Sequence, residues 1–288
     1  MKIKIFGIIV LMLLITSAMS AVGQTTIEKK QKMGQTSLDD NVPVWNIGDS
    51  WTYTVNDFTF DYEEGGQKIF FDGSIDDFTW TVSDTSGSTY RVDFTGDINC
   101  DYEIYLSSPS MTLYVTGTIK DTLTRMTGSI IFTKDNLEIT DLNAEIRGIT
   151  AGKISPLPFA LPLPFKVTIN ADLSQNFPLF DFPLSSGKFW NMPNIITTVS
   201  VSAGGIFGLI KIPISFATEY PWFPLAFHCL STQDVTVEAG IFNAYKIEST
   251  FFDMFEYYYA PSVGNLVKID ATMLNGQVSA ELKSTNYV

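Results

Sequence analysis

Catalysis needs a base, a nucleophile or a bound metal held in a pocket, and this sequence offers few candidates. His228 is the single histidine, so a site built on two histidine ligands is excluded. A Ser-His-Asp relay would need its serine on a sharp Gly-x-Ser-x-Gly elbow, and no such elbow occurs. His228 lies between Phe227 and Cys229, the setting of a packed structural ring. Cys100 and Cys229 could serve as nucleophiles. In an exported chain, however, an even cysteine count fits one disulfide, with two buried free thiols as the alternative. A bridge between them would close a very long loop and contribute on the order of 4–5 kcal/mol in the chain-entropy model.

Carboxylates are more plentiful. Asp57, Asp61, Glu63 and Glu64 form one group, and Asp72, Asp76 and Asp77 another. Two acids can hydrolyse a glycosidic bond, but only when the fold sets them at a suitable separation. Asp61 to Gly66 resembles a calcium loop yet lacks the Asp-x-Asp-x-Asp-Gly order, so solvated turns are the default reading. No phosphate-cradling glycine loop and no dinucleotide fingerprint is present, and no cofactor or metal is expected. No catalytic residue is assigned.

Aromatic and apolar side chains are the other resource. Phe251, Phe252, Phe255, Tyr257, Tyr258 and Tyr259 lie within nine residues; alternation sends them to both faces of a strand and sets Phe255, Tyr257 and Tyr259 on one of them. Phe159 and Phe165 sit in or beside a run broken by Pro156, Pro158, Pro162 and Pro164. Phe159, Phe165, Phe255, Tyr257 and Tyr259 are the candidate surface for an apolar ligand or a partner chain, with ordinary sheet packing as the competing explanation.

The elements that must position these groups read as strands. Trp51-Thr52-Tyr53-Thr54-Val55 and Phe78-Thr79-Trp80-Thr81-Val82 alternate large apolar residues with Thr, as half-buried strands do. Gly240 turns one hairpin over 235–248, and Pro261 with Gly264 turns another over 255–269. No long 3.6-residue stripe with caps competes. The prolines predict an extended crossover over 156–176 rather than a central strand, because proline cannot donate to a ladder. Phe182-Pro183-Leu184-Ser185-Ser186-Gly187-Lys188-Phe189-Trp190 echoes Val42-Pro43-Val44-Trp45-Asn46-Ile47-Gly48-Asp49-Ser50-Trp51, both placing an apolar-Pro-apolar entry ahead of Gly, two residues, then Trp. The reading is therefore an all-β, mainly antiparallel fold with one large curved sheet or half-barrel. Residues 42–288 form a single β-rich domain, divisible into related lobes 42–155 and 177–288.

The N-terminus carries an address. Lys2 and Lys4 precede an apolar run over 5–15 and a small-residue stretch ending Ala18-Met19-Ser20, so 1–23 reads as a cleaved secretory signal. An uncleaved anchor is the alternative. A polar leader over 24–41 follows. The formal charge of −13 disfavours phosphate-rich partners, so no nucleic-acid binding is expected. Membrane contact is expected only through a retained N-terminus.

Four phrases carry a resemblance: Gly-Asp-Ser-Trp-Thr-Tyr at 48–53, Phe-Pro-Leu-x-x-Gly at 182–187, Val-x-Val-x-Ala-Gly-x-Phe at 235–242, and Tyr-Tyr-Ala-Pro-x-Val-Gly-x-x-Val-Lys at 258–268. Together they resemble TapB-like exported proteins, which look related to the LolA/LppX type of curved antiparallel sheet. Ile241 departs from the Thr expected before the Phe. The resemblance implies a surface location and, by analogy of fold alone, lipid or other hydrophobic-ligand binding. The expected role is a secreted or cell-surface, non-catalytic binding or envelope protein. Its partner would be a hydrophobic small molecule, a lipid or an envelope protein. A structural surface component or adhesin is the alternative, and a glycan-acting enzyme ranks below both.

Overall fold

The computed structural model describes residues 42–64, 67–108, 111–154, 159–191, 195–205, 212–220, 226–249, 255–273 and 276–288. The expected signal 1–23 and leader 24–41 lie outside them. Fifteen strands follow in chain order. They are β1 (Ser50–Glu64), β2 (Gln67–Asp84), β3 (Thr89–Ser108), β4 (Met111–Ile119), β5 (Thr124–Thr133), β6 (Ile139–Ile154), β7 (Ala160–Phe177) and β8 (Lys188–Asn191). The remainder are β9 (Ile195–Gly205), β10 (Ile212–Tyr220), β11 (Ala226–Val237), β12 (Gly240–Ser249), β13 (Phe255–Ala260), β14 (Asn265–Met273) and β15 (Gly276–Thr285).

All belong to one sheet, ordered β10-β9-β7-β6-β4-β3-β2-β1-β15-β14-β13-β12-β11-β8. Every pairing is antiparallel. β5 continues the line of β4 after a 3-10 turn at Asp121–Leu123, so β3 and β6 each pair with both pieces. The first strand pairs with the last along Trp51↔Thr285 to Phe60↔Gly276, which joins the two halves of the chain in mid-sheet. Register shifts in β1 and at Asp76/Thr79, where Asp77 has φ 44°, mark the bulges that bend long strands.

Alternation decides which face is inside. Trp51, Tyr53, Val55, Phe78, Trp80, Val82, Val92 and Phe94 are sealed from solvent, while Arg91 and Asp93 between them pair on the outer face. Ion pairs Lys68–Glu103, Lys166–Glu145, Lys246–Glu256 and Lys268–Asp270 continue that face.

One aromatic group centres on Trp45, which lies 5.2 Å from Trp51, 5.2 Å from Tyr90 and 5.4 Å from Phe132. Its indole N–H donates to the Gly264 carbonyl at 3.0 Å, and that of Trp51 to Val263 at 2.7 Å. A second group joins Phe180, Phe182, Tyr257, Tyr259 and Phe227. It forms because residues 178–187 leave β7 and run as a strap to β8, which pairs with β11 near the far end of the strand order.

The proline segment differs from the sequence expectation. Residues 160–177 are strand β7, paired with β6 from Lys153↔Ala160 to Ile139↔Phe177 and with β9 only from Phe165↔Gly205 to Leu173↔Thr197. Pro162 and Pro164 thus sit where, among the described strands, β7 pairs on one side. Being two residues apart, their nitrogens face the same way, and a strand with one free side tolerates prolines whose nitrogens face that side. Pro156 and Pro158 lie outside the described residues.

The echo between the two halves is a repeated turn. Asp49 N–H donates to Asn46 and Lys188 N–H to Ser185, with Gly48 at φ 91° and Gly187 at φ 85° in the equivalent position. Glycine is needed there because a Cβ disfavours left-handed backbone. Each turn opens a strand bearing a buried tryptophan three residues on, Trp51 in β1 and Trp190 in β8.

Candidate functional site

Three chain segments meet at an open cleft of about 490 Å³, lined by Asn136, Glu138, Gln175, Asn176, Pro178, Phe180, Asp181, Trp190 and Asn191. The β5–β6 turn supplies the first wall. Leu137 is buried there at φ 52°, a conformation that costs roughly 1–2 kcal/mol for a residue with a Cβ. Its side chain anchors the turn in the core and leaves flanking Asn136 and Glu138 on the cleft. The end of β7 supplies Gln175 and Asn176, and the Asn176 amide donates to Glu138 at 2.8 Å.

The strap forms the second wall. Phe182 N–H donates to the side-chain amide oxygen (Oδ1) of Asn136 at 2.9 Å, tying strap to turn. Asp181 pairs with Lys188 at 3.1 Å, and the same ammonium also donates to the Asp181 and Pro183 carbonyls. Strand β8 completes the site with Trp190 and Asn191. Trp190 is 7% exposed and packs 5.6 Å from Phe227, and its indole N–H is buried without a hydrogen-bond partner. Donors and acceptors for uncharged polar groups dominate this cleft. Both of its carboxylates already hold a partner, Glu138 the Asn176 amide and Asp181 the Lys188 ammonium.

The sequence candidates do not assemble into one surface. Tyr257 and Tyr259 are each 1% exposed, covered by Phe180 and Phe182 of the strap. The Tyr257 hydroxyl donates to the Leu179 carbonyl at 2.7 Å. These two rings fill the concave side instead of lining a groove. Phe255 pairs with Ala271 in the ladder, and its side chain is outside the described set. Phe165 is half-buried against the core, and only Phe159 is exposed.

Cys100 on β3 and Cys229 on β11 are both buried and unbridged. The expected disulfide is therefore corrected. Strands β2, β1, β15, β14, β13 and β12 stand between them in the sheet, whereas a disulfide requires Cα atoms within about 7 Å. Burial pushes the Cys100 thiol up to about 12, which removes it as a nucleophile near neutral pH.

His228 stacks face to face on Phe189 at 3.9 Å and lies 4.0 Å from Glu248, on the polar side of β11. Asp61 to Glu64 are ladder residues opposite Phe70 to Gln67, so the calcium-loop resemblance gives way to a hairpin. Asp57 accepts from Gln277, and Asp77 pairs with Lys283 at 2.7 Å. Among the described residues no group of three or more His, Cys, Asp or Glu is arranged to hold a metal ion.

The geometry defines a class: a single-sheet antiparallel β protein with a polar cleft beside the strap. Comparison with family models, with curated proteins and with solved structures finds no match. The resemblance to TapB-like exported proteins rests on its four phrases alone. The cleft residues were not legible as a site in the sequence, because 136–138, 175–181 and 190–191 are separate segments. The one available signal was the repeated Gly-x-x-Trp phrase, which marks Trp190.

Proposed function

We propose that this chain works outside the cytoplasm as a non-catalytic binding component of the cell surface or envelope, and that it meets its ligand at the rim of the sheet. The observation carrying this reading is the packing of Tyr257 and Tyr259 beneath Phe180 and Phe182. An apolar ligand on the concave side would have to displace those rings, whereas the cleft beside the strap is open. The signal-like residues 1–23 support the location.

Protease treatment of intact cells tests it. A surface protein is digested without lysis and starts beyond residue 20 by N-terminal sequencing. Recovery of intact chain with residues 1–23 in the cytosolic fraction would overturn the reading.

One observation favours the structural-component or adhesin version. Ile149 faces Pro164 across β6 and β7, and Ala151 faces Pro162. These four residues and Phe159 are exposed, so the outer face turns apolar beyond the charged Arg147 and Lys166. An apolar strip beside half-paired backbone suits contact with another protein. The variant Ile149→Glu should fold normally and lose attachment or assembly. Unchanged attachment would remove this version.

A further inference from the structure

We infer that the cleft between the β5–β6 turn, the strap and β8 binds a neutral polyhydroxylated ligand of the saccharide class. The inference rests on the reading of the chain as a binding protein and names the chemistry of its ligand.

The first observation is the orphaned donor. Trp190 is 7% exposed and its indole N–H is buried with no partner. Buried polar groups are almost always satisfied, so each exception calls for a physical reason. Its counterpart in the repeated phrase, Trp51, spends the same N–H on the Val263 carbonyl at 2.7 Å. The turn and strand that present Trp190 therefore do not themselves require an unpaired indole. Trp190 lines the open cleft, and its N–H, unpaired among the described residues, is sealed from solvent.

The second observation is the composition of the rest of that wall. Asn191 brings an amide able to donate and accept, Asn136 and Asn176 bring the parts of their amides not used on Phe182 and Glu138, and Glu138 and Asp181 bring acceptors. A ligand must offer an acceptor to the indole and donors to the carboxylates. Hydroxyl groups do both.

Other ligand classes fit less well. An anion would face Glu138 and Asp181, and the nearby Lys188 is already held by Asp181 and two carbonyls. A metal ion gains nothing from an N–H donor. An apolar molecule would strip water from the amides without replacing it. A volume of about 490 Å³ is in the range of small-ligand sites. The indole N–H is sealed from bulk water, so a small outward swing of Trp190 accompanies its bonding to a ligand hydroxyl.

The test uses the purified mature chain and a panel of neutral and acidic oligosaccharides, followed by calorimetry and tryptophan fluorescence. At least one neutral saccharide should bind and change the emission. Trp190→Phe, which keeps an aromatic ring and removes the N–H, should weaken that binding about tenfold, the effect of one buried hydrogen bond. Its unfolding midpoint should fall only by what the lost ring volume costs, because no hydrogen bond is lost in the free protein. Asn191→Ala should weaken binding without altering stability. Binding to no member of the panel overturns the inference, as does equal affinity in both variants. A large loss of stability in Trp190→Phe overturns it too, since the N–H would then have a structural partner. A chain that proteolysis places on the cell surface but that binds no saccharide defeats this inference and leaves the surface reading intact. A cytosolic chain that binds saccharide does the reverse.

Discussion

The hydroxyl of Tyr257 on β13 donates to the backbone carbonyl of Leu179, 78 residues earlier in the chain, at 2.7 Å. Both residues are buried, and the bond ties the strap across the concave side of the sheet. It explains why a ring that alternation alone would allow in a ligand groove is part of the core. Removing only the hydroxyl, in Tyr257→Phe, leaves a buried carbonyl without its donor and should cost about 1–3 kcal/mol. Tyr257→Ala should cost about 3–5 kcal/mol, the usual loss for a large aromatic side chain. Urea unfolding midpoints measure both, and equal midpoints for wild type and Tyr257→Phe would show that the strap is held in other ways.

Gly128 on β5 stands where β3 and β6 both press against the backbone. A Cβ there would meet a Phe94 ring carbon at 2.1 Å and the Asn143 carbonyl oxygen at 2.2 Å. Gly128→Ala should therefore lose at least about 1–3 kcal/mol through overpacking. Adding Phe94→Leu should recover part of that loss, because the ring is one of the two obstacles. A double-mutant cycle on unfolding free energies reads the coupling, and strict additivity would count against the contact.

The cysteines should behave as inert core residues. With the Cys100 thiol pushed up to about 12 by burial, the native chain should react negligibly with a thiol reagent at pH 8. The denatured chain should yield both thiols. Reducing agent should leave the thermal midpoint unchanged. A faster-migrating non-reduced species that disappears on reduction would contradict the separation of β3 and β11.

Acid should loosen the outer face of the second half. Burial raises the Glu256 carboxyl, but hydrogen bonds from Lys246 and Tyr258 and the neighbouring charges outweigh it and hold the group below its ordinary 4.5. A carboxyl whose folded pKa is depressed stabilises the fold above its unfolded value, and that contribution drains as pH falls through the folded value. Stability should thus hold down to about pH 4.5 and decline below it. In Glu256→Gln that part of the decline should be missing, while stability at pH 7 is modestly lower. Chemical denaturation at a series of pH values from 7 to 3 compares the two slopes.

Much of the fold was legible because strand alternation is a local property. Trp51, Tyr53 and Val55 point inward as their spacing requires, and the hairpins at Gly240 and at Pro261 to Gly264 form where the turn residues stand. The proline run was misread because the rule against proline in sheets concerns strands paired on both sides. Half of β7 pairs on one side among the described strands, and local sequence does not record which neighbour arrives. The aromatic segment left two readings open, sheet packing and a ligand surface, for a related reason. Tyr257, Tyr258 and Tyr259 are all buried, although alternation assigns them to opposite faces. Phe180 and Phe182 cover one face, and a register shift between Tyr258 and Tyr259 disturbs the alternation.

By itself the sequence determined what depends on near neighbours: antiparallel strands, their inward rings and the Gly48 and Gly187 turns. Tertiary structure alone decided what depends on segments far apart in the chain. It separated Cys100 from Cys229, laid the strap over Tyr257, and gathered Asn136, Glu138, Asn176, Asp181 and Trp190 around one cleft. The physical reason is that side-chain period and turn chemistry act over a few residues, whereas strand order is set by which faces can bury one another once the whole sheet has curled.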